Sequence, residues 1–340
     1  MKEFIGYKKG INLGGWLSQC NHNENHYASF ISKSDIKRIS EWGLDHIRLP
    51  IDFELVRNPD ETTNEVGYIY IEKCIDWCKE YGLNLIIDLH KTAGYSFDEG
   101  SNVFFDKPIL QERFIALWEE IALKYGKYSD TIAFELLNEV VDDSVAEIWN
   151  DIAEKAIIAI RKIAPHTKII VGGTRNNSVE SVRNLREPFD ENIVYTFHFY
   201  EPLIFTHQGA YWIEPMCEDY RVEYPSSNEK YIEDSKKYLF PQQVDFLIPY
   251  STQLSGKDFF RTAFADAIKV AKERNVALYC GEYGVIDRAT NTSALNWISD
   301  ISEVFKEYNI GRAIWNYKEK DYGIINPKYN EILHEIIEKL

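Results

Sequence analysis

The sequence lacks the cysteine patterns of disulfide-bonded or zinc-binding domains. It has five cysteines in 340 residues: Cys20, Cys74, Cys78, Cys217 and Cys280. Their number is odd, and their spacing matches neither a disulfide framework nor a zinc motif. Cys74 and Cys78 lie one helical turn apart, and we expect a pair of buried apolar thiols there rather than two metal ligands.

Long apolar runs and a leader segment are also missing. No window approaches the ~18 consecutive apolar residues of a membrane-spanning helix, so we expect no membrane partner. Residues 1–7 contain no apolar signal core and no small-residue cleavage site. The sequence therefore predicts a cytoplasmic protein. An extracellular location would require that a signal peptide had been trimmed.

Positive charge is scarce. Lysine and arginine number 38 against 54 acidic residues, which gives a net charge of −16. Such a chain binds nucleic acids and anionic membranes poorly, whereas a neutral ligand meets no electrostatic penalty. The 8 Trp, 22 Tyr and 18 Phe fill much of a core. A protein that stacks sugar rings would carry an aromatic excess of this kind.

Apolar segments of strand length alternate with helical patterns along the whole chain, which is typical of parallel βαβ units. We predict eight strands, the number that closes a (β/α)₈ barrel (TIM barrel), in a single domain spanning residues 1–340. An open doubly wound sheet is the alternative, but no Gly-rich phosphate turn supports it. The predicted strands are near residues 10–17, 44–50, 83–90, 131–139, 168–173, 192–200, 276–282 and 310–317. The predicted helices are near residues 34–42, with Ser34 as N-cap, and near 68–81, 108–126, 144–163, 178–186, 257–274, 291–308 and 331–340.

One interval interrupts this alternation after the sixth strand. Residues 201–256 are rich in tyrosine, proline and charge, and structureless loops of this length are rare in compact domains. We predict an inserted subdomain on the rim formed by the carboxyl ends of the strands, which is the catalytic rim of such barrels. Its short helices are predicted near residues 232–238 and 242–248. A mobile lid is the alternative.

Polar side chains stand at the predicted carboxyl ends of six strands, where the active sites of (β/α)₈ barrels lie. Two of them are carboxylates, a pair that glycoside hydrolysis requires. A metal site and a proton-abstraction site remain as alternatives. Neither H-x-H at a strand end nor a helical H-E-x-x-H occurs, so we expect no metal and no cofactor. The rim residues are Arg48, His90, Asn138, Glu139, His198, Tyr200, Glu282 and Trp315.

These motifs, in this order, resemble the family 5 glycoside hydrolases, which are retaining (β/α)₈-barrel enzymes of the cellulase type. The resemblance rests on residues 46–50 (HIRLP), 88–90 (DLH), 138–139 (NE), 198–200 (HFY), 281–284 (GEYG) and 315–316 (WN). The opening at residues 10–16 (GINLGGW) and residues 205–208 (FTHQ) are similar to the clostridial endoglucanase C type of that family. The match runs from Gly10 to about Tyr317.

The resemblance implies a role for each acid. Glu139 would be the general acid/base and Glu282 the nucleophile. Arg48 and Tyr200 would contact and orient Glu282. His198 would lie near Glu139 and help to set its protonation.

The same resemblance assigns three residues to the sugar at the cleavage site. His90 and Asn138 would hydrogen-bond it, Asn138 at the 2-hydroxyl, and Trp315 would be the platform beneath its ring. Two positions depart from the family pattern. Val140 stands where proline often follows the acid/base, and Lys91 stands where a histidine is common.

The sequence thus predicts a monomeric endo-β-1,4-glucanase that acts on cello-oligosaccharides, soluble cellulose or mixed-linkage β-glucan. An exo-acting β-glucosidase, a β-1,3-glucanase and a mannanase remain open within the enzyme class. The residues at 12–17 (NLGGWL) also resemble fungal exo-β-1,3-glucanases. Alternatives of other classes are a non-catalytic sugar-binding barrel and a metal-dependent hydrolase.

Overall fold

The computed structural model describes residues 1–98, 102–244 and 256–340. Within these ranges eight parallel strands close into a barrel in sequence order, with β1 paired to both β2 and β8. The predicted (β/α)₈ architecture is confirmed. The strands are β1 Lys9–Asn12, β2 His46–Asp52, β3 Asn84–Lys91, β4 Ile132–Glu135, β5 Lys168–Gly172, β6 Ile193–Phe199, β7 Ala277–Tyr283 and β8 Gly311–Ile314.

Helices surround the barrel and fill the longer connections. In the described ranges they are α1 Glu24–Phe30, α2 Lys33–Glu41, α3 Phe53–Val56, α4 Glu65–Tyr81, α5 Pro108–Tyr125, α6 Ala146–Ile163, α7 Thr174–Asn177, α8 Leu203–Thr206, α9 Asn228–Tyr238, α10 Pro241–Val244, α11 Lys257–Glu273, α12 Asn291–Tyr308 and α13 Leu333–Lys339. None of the helices in the described ranges is long and apolar enough to cross a membrane. Cys74 and Cys78 are both buried on α4, as predicted.

The bottom of the barrel is apolar. Side chains from β3 to β8 converge there and are plugged by Phe4 and Tyr7, whose rings stack 4.2 Å apart. Alternate residues of a strand point to the same side. On β3, Asp88 and His90 therefore follow the buried Ile86 on the same side, and polar groups collect at the carboxyl end of the barrel.

Several local details differ from the prediction. Helix α2 is preceded by Ser32, not Ser34, and the Ser32 N–H donates to the Asp35 carboxylate (2.9 Å). Helix α1 was not predicted, because a short polar segment has no clear apolar periodicity. The fourth strand ends at Glu135 rather than at residue 139, so Asn138 and Glu139 lie in the following loop. Val140 lies in that loop too.

The segment that follows β6 packs on the barrel over its described part. Residues Phe205, Val222, Tyr224 and Tyr231 are buried, and Ile286 N–H donates to the Thr206 carbonyl (3.0 Å). The first predicted short helix corresponds to α9. The second begins as α10, and its predicted remainder lies outside the described residues.

Tyr224 fastens this segment to helix α12. Its N–H donates to Ser293 Oγ (2.9 Å), its hydroxyl donates to Asp300 Oδ2 (3.0 Å), and its ring lies 5.4 Å from that of Phe205. These contacts combine one large buried ring with two hydrogen bonds, so the segment is held by both packing and polar contacts.

We expect Tyr224→Ala to lower the free energy of unfolding by about 3–5 kcal/mol, because it removes a buried aromatic ring. Tyr224→Phe keeps the ring and loses one hydrogen bond, and should cost only about 1 kcal/mol. Urea unfolding followed by tryptophan fluorescence measures both. A loosely attached lid would instead leave both variants as stable as the wild type.

Candidate active site

The guanidinium of Arg48 lies at the centre of the rim and is fully buried. It projects from β2 into the barrel and contacts groups from four other strands and from the loop after β4. Every one of its three nitrogens has an oxygen partner. These partners are Glu135 Oε2 (2.8 Å) and Oε1 (3.0 Å), Asn12 Oδ1 (3.0 Å), Glu282 Oε1 (2.8 Å), Asn138 Oδ1 (2.9 Å) and Asp88 Oδ2 (3.1 Å).

Glu282 lies near the end of β7 and is almost wholly buried. Its Oε1 accepts from Arg48, and its Oε2 accepts from the Tyr200 hydroxyl (3.0 Å). A cation and a hydroxyl donor therefore stabilise the charge on this carboxylate and fix its orientation. Burial raises the pKa of Tyr200 far above its ordinary value, so its hydroxyl keeps its proton.

Glu139 has neutral partners instead. Its Oε1 lies 2.7 Å from His198 Nδ1, and its Oε2 accepts from Asn176 Nδ2 (3.3 Å). The Tyr95 hydroxyl donates to its backbone carbonyl (2.5 Å), where the chain adopts φ +44°. Burial raises the pKa of Glu139 above its ordinary value. This is the direction that keeps a carboxyl group protonated.

The two acids face each other across a short gap. One carboxylate oxygen of Glu139, one of Glu282 and a ring nitrogen of His198 all lie within 4.8 Å of one another. Retaining glycosidases hold their carboxyl groups ~5–5.5 Å apart, whereas inverting enzymes need ~6.5–9.5 Å to admit a water. The gap therefore fits direct attack by one carboxylate.

His198 projects from β6 between the two acids. Its Nδ1 is 3.7 Å from Glu282 Oε2, and its Nε2 is 3.4 Å from Asn177 Nδ2. Burial lowers the pKa of His198 to about 4. The imidazole is therefore neutral near pH 7 and carries a single N–H.

His90 and Trp315 form one wall of the gap, with nearly parallel rings 5.8 Å apart. The Nδ1 of His90 lies 2.6 Å from Asp88 Oδ2, which orients the ring. Asn138 adds a donor: its Nδ2 is buried and has no hydrogen-bond partner among the described residues. Buried donors are rarely left unpaired, so this amide is suited to a ligand oxygen.

All eight residues predicted at the rim thus lie around one gap. The sequence analysis did not identify a second layer of polar residues, deeper in the barrel. In this layer Glu135 and Asp88 bind Arg48 from below. Both are charges inside apolar strands, which is the signal that could have found them. It also missed Asn176 and Asn177, two adjacent asparagines after a Gly-Gly pair.

Lys91 does not face the gap as a free cation. Its Nζ bonds both oxygens of Asp98 (2.8 and 2.9 Å) and lies 5.6 Å from the Phe97 ring. Since Phe97 also packs edge-on against His90 (5.0 Å), Lys91 supports the wall behind His90. Lys91, in place of the histidine that is common in the family, therefore affects the wall of His90 and Trp315 only through Phe97.

Two groups of described residues bring three potential metal ligands close together: Glu139 with His198 and Glu282, and His22 with Asp52 and Glu54. In the first group Arg48 already supplies positive charge to Glu282. In the second, His22 Nε2 lies 3.1 Å from Asp52, whose oxygens also accept from Ser18 and Gln19. Protein groups therefore partner both sets, and the absence of a metal cofactor stays a prediction.

Comparison with known proteins agrees with this geometry. A model of the cellulase family, glycosyl hydrolase family 5, matches residues 7–321. The chain is 44% identical to cellodextrinase A of Ruminococcus flavefaciens over 309 residues, which cover 90% of this chain and 84% of the relative. It is 37% identical to endoglucanase C of Acetivibrio thermocellus over 341 residues, which cover 98% and 97%.

The fold is shared with solved structures as well. One endoglucanase superposes with a TM-score of 0.77 at 22% identity and covers 98% of this chain and 97% of its own. The family match at residues 7–321 includes every rim residue described above, and the two relatives align with 90% and 98% of this chain. The chain therefore belongs to glycosyl hydrolase family 5 and is a retaining glycoside hydrolase whose substrate is a carbohydrate.

Proposed function

We propose that this enzyme is an endo-β-1,4-glucanase acting on cello-oligosaccharides, soluble cellulose or mixed-linkage β-glucan. The relatives named cellodextrinase A and endoglucanase C support this substrate class. The observation that carries the mechanism is the contrast between the two acids, which have carboxylate oxygens within 4.8 Å of each other. Arg48 and Tyr200 stabilise charge on Glu282, whereas burial favours the protonated form of Glu139.

In the first step Glu282 attacks the anomeric carbon and forms a glycosyl ester as the glycosidic bond breaks. Glu139 gives its proton to the departing glycosidic oxygen, so the shortened chain leaves as an alcohol. Glu139 is then a carboxylate and takes a proton from a water molecule. That water attacks the same carbon and releases Glu282, with net retention of configuration.

The remaining rim residues hold the sugar for this reaction. The unpaired Nδ2 of Asn138 is the donor for a ring hydroxyl, which we assign to the 2-hydroxyl. His90 offers its second ring nitrogen, since Nδ1 faces Asp88. Trp315 presents a broad apolar face parallel to His90, on which a pyranose ring can stack.

The segment after β6 borders this cleft, and we propose that it shapes the path of the chain beyond the cleaved bond. His207 lies edge-on to Tyr200, with ring centres 5.2 Å apart, and Trp212 packs against His207 at 6.2 Å. Trp212 and Tyr211 are exposed. An aromatic surface thus continues outward from the acids.

A panel of polysaccharides tests the substrate class. Incubation with carboxymethylcellulose, barley β-glucan, laminarin, mannan and a cello-oligosaccharide ladder should give mixed oligomers from the first two, with an early fall in viscosity. The reason is that an endo-acting enzyme cleaves internal bonds, which shortens long chains early. Steady release of glucose alone would replace this proposal with an exo-enzyme. Preferred cleavage of laminarin or mannan would replace it with a β-1,3-glucanase or a mannanase.

Because Glu139 must be protonated to act as the general acid, we expect kcat/KM to depend on pH. A general acid must be protonated, so kcat/KM on cellotetraose should fall as pH rises through the pKa of Glu139. Because burial raises that pKa above the usual 4.5, this basic limb should lie above the usual glutamate range.

Glu139→Ala is the control for that limb. It should lose roughly 10²–10⁴-fold in kcat/KM on cellotetraose. On 2,4-dinitrophenyl β-cellobioside, whose leaving group needs no proton, it should lose far less and show no basic limb. A basic limb that persists in Glu139→Ala would assign the acid to another group.

A further inference from the structure

After β5 the short segment α7 is not a regular helix but an unusual left-handed turn at the rim. Arg175, Asn176 and Asn177 have φ values of +53°, +56° and +53°. This region is strained for most residues, and asparagine is among those that tolerate it best. The Asn176 N–H donates to the Val140 carbonyl (3.1 Å), which joins the turn to the loop that carries Glu139.

The turn directs two side-chain amides at Glu139 and His198. Asn176 Nδ2 donates to Glu139 Oε2 (3.3 Å), and Asn177 Nδ2 lies 3.4 Å from His198 Nε2. Asn177 is fully buried, and its Oδ1 has no partner among the described residues. The left-handed turn therefore brings Asn176 to Glu139 and Asn177 to His198. Backbone strain of this kind is found most often at functional sites.

The contact of Asn177 decides which nitrogen of His198 carries the proton. An amide N–H can only donate, so Nε2 must be the acceptor and Nδ1 must hold the hydrogen of the neutral ring. Nδ1 then donates to Glu139 Oε1 at 2.7 Å. Oε1 accepts this short bond, whereas Oε2 accepts only the longer contact from Asn176 Nδ2 (3.3 Å). Oε1 is therefore the carbonyl oxygen of the protonated acid, and Oε2 carries the proton.

The opposite arrangement would disable the acid. With the hydrogen on Nε2, the bare Nδ1 would accept the proton of Glu139 through Oε1. The proton would then lie between Glu139 and His198 and not on Oε2. The Nδ1–H tautomer of His198 therefore keeps the proton of Glu139 available for transfer, and the Nε2–H tautomer does not.

We propose that Asn177 is a positioning residue that fixes His198 as the Nδ1–H tautomer and thereby confines the transferable proton of Glu139 to Oε2. This inference rests on the proposed role of Glu139 as general acid. It does not depend on which β-glucan is the substrate.

The direct test is the state of the His198 ring, read by long-range ¹H–¹⁵N correlation on the full chain with labelled histidine. Loss of the signal in His198→Gln assigns it. In the wild type near pH 7 we expect a protonated Nδ1 and a bare Nε2. A protonated Nε2 in the wild type would overturn the proposal without any variant.

Asn177→Asp is the informative variant, because aspartate also tolerates the left-handed conformation and its carboxylate can only accept. We expect Nε2 of His198 to gain a proton in this variant. An Nε2 that stays bare would contradict the proposal. Asn275→Asp is the matched control, because Asn275 also has a positive φ (+49°) and makes none of these contacts; it should leave the ring unchanged.

Kinetics separate this role from a purely structural one. Asn177→Asp should lower kcat/KM on cellotetraose by roughly 10²-fold, in the range of a lost general acid. The loss on 2,4-dinitrophenyl β-cellobioside should be at least tenfold smaller. Equal losses on both would mean that Asn177 only supports the fold. If cellotetraose is not cleaved but the ring responds as expected, the proposed substrate fails and the tautomer assignment stands.

Discussion

The site depends on one buried guanidinium. Arg48 is inaccessible to solvent and is held by oxygens from β1, β3, β4, β7 and the loop after β4. A buried cation is tolerated only when its hydrogen bonds are complete, and loss of one partner from a buried ion pair typically costs about 3–5 kcal/mol. Arg48 therefore fixes the height and direction of Glu282 and Asn138 together, and the geometry of the cleavage site follows from it.

The two carboxylates acquire different properties from different neighbours. Glu282 faces a cation and a hydroxyl. Glu139 lies beyond the end of its strand, at a positive φ, among a neutral imidazole and an amide. In the layer beneath them, burial raises the pKa of Asp88 to about 7, although the charge of Arg48 acts to lower it. A buried acid that favours its protonated form, opposite a carboxylate paired with a cation, is what a double-displacement mechanism requires.

The sequence was sufficient for the barrel and for the residues that surround the gap between the two acids. Alternating apolar and amphipathic segments specify eight βα units, and the polar residues at strand ends stand out against apolar runs. It was less informative where the backbone leaves regular structure. The end of β4 at Glu135 and the positive φ of Glu139 arise from tertiary contacts such as that with Tyr95, which no local pattern encodes. Asn176 and Asn177 are permissive for a left-handed turn, but their targets, Glu139 and His198, are distant in sequence.

In the proposed mechanism Glu282 attacks the sugar and Glu139 transfers the proton. The most direct test is to incubate the enzyme with an activated 2-deoxy-2-fluoro-β-cellobioside, which slows breakdown of the glycosyl ester, and to map the labelled peptide by mass spectrometry. We expect one covalent label, on Glu282, with loss of activity in step with labelling. A label on Glu139, or release of an inverted product without any label, would contradict it.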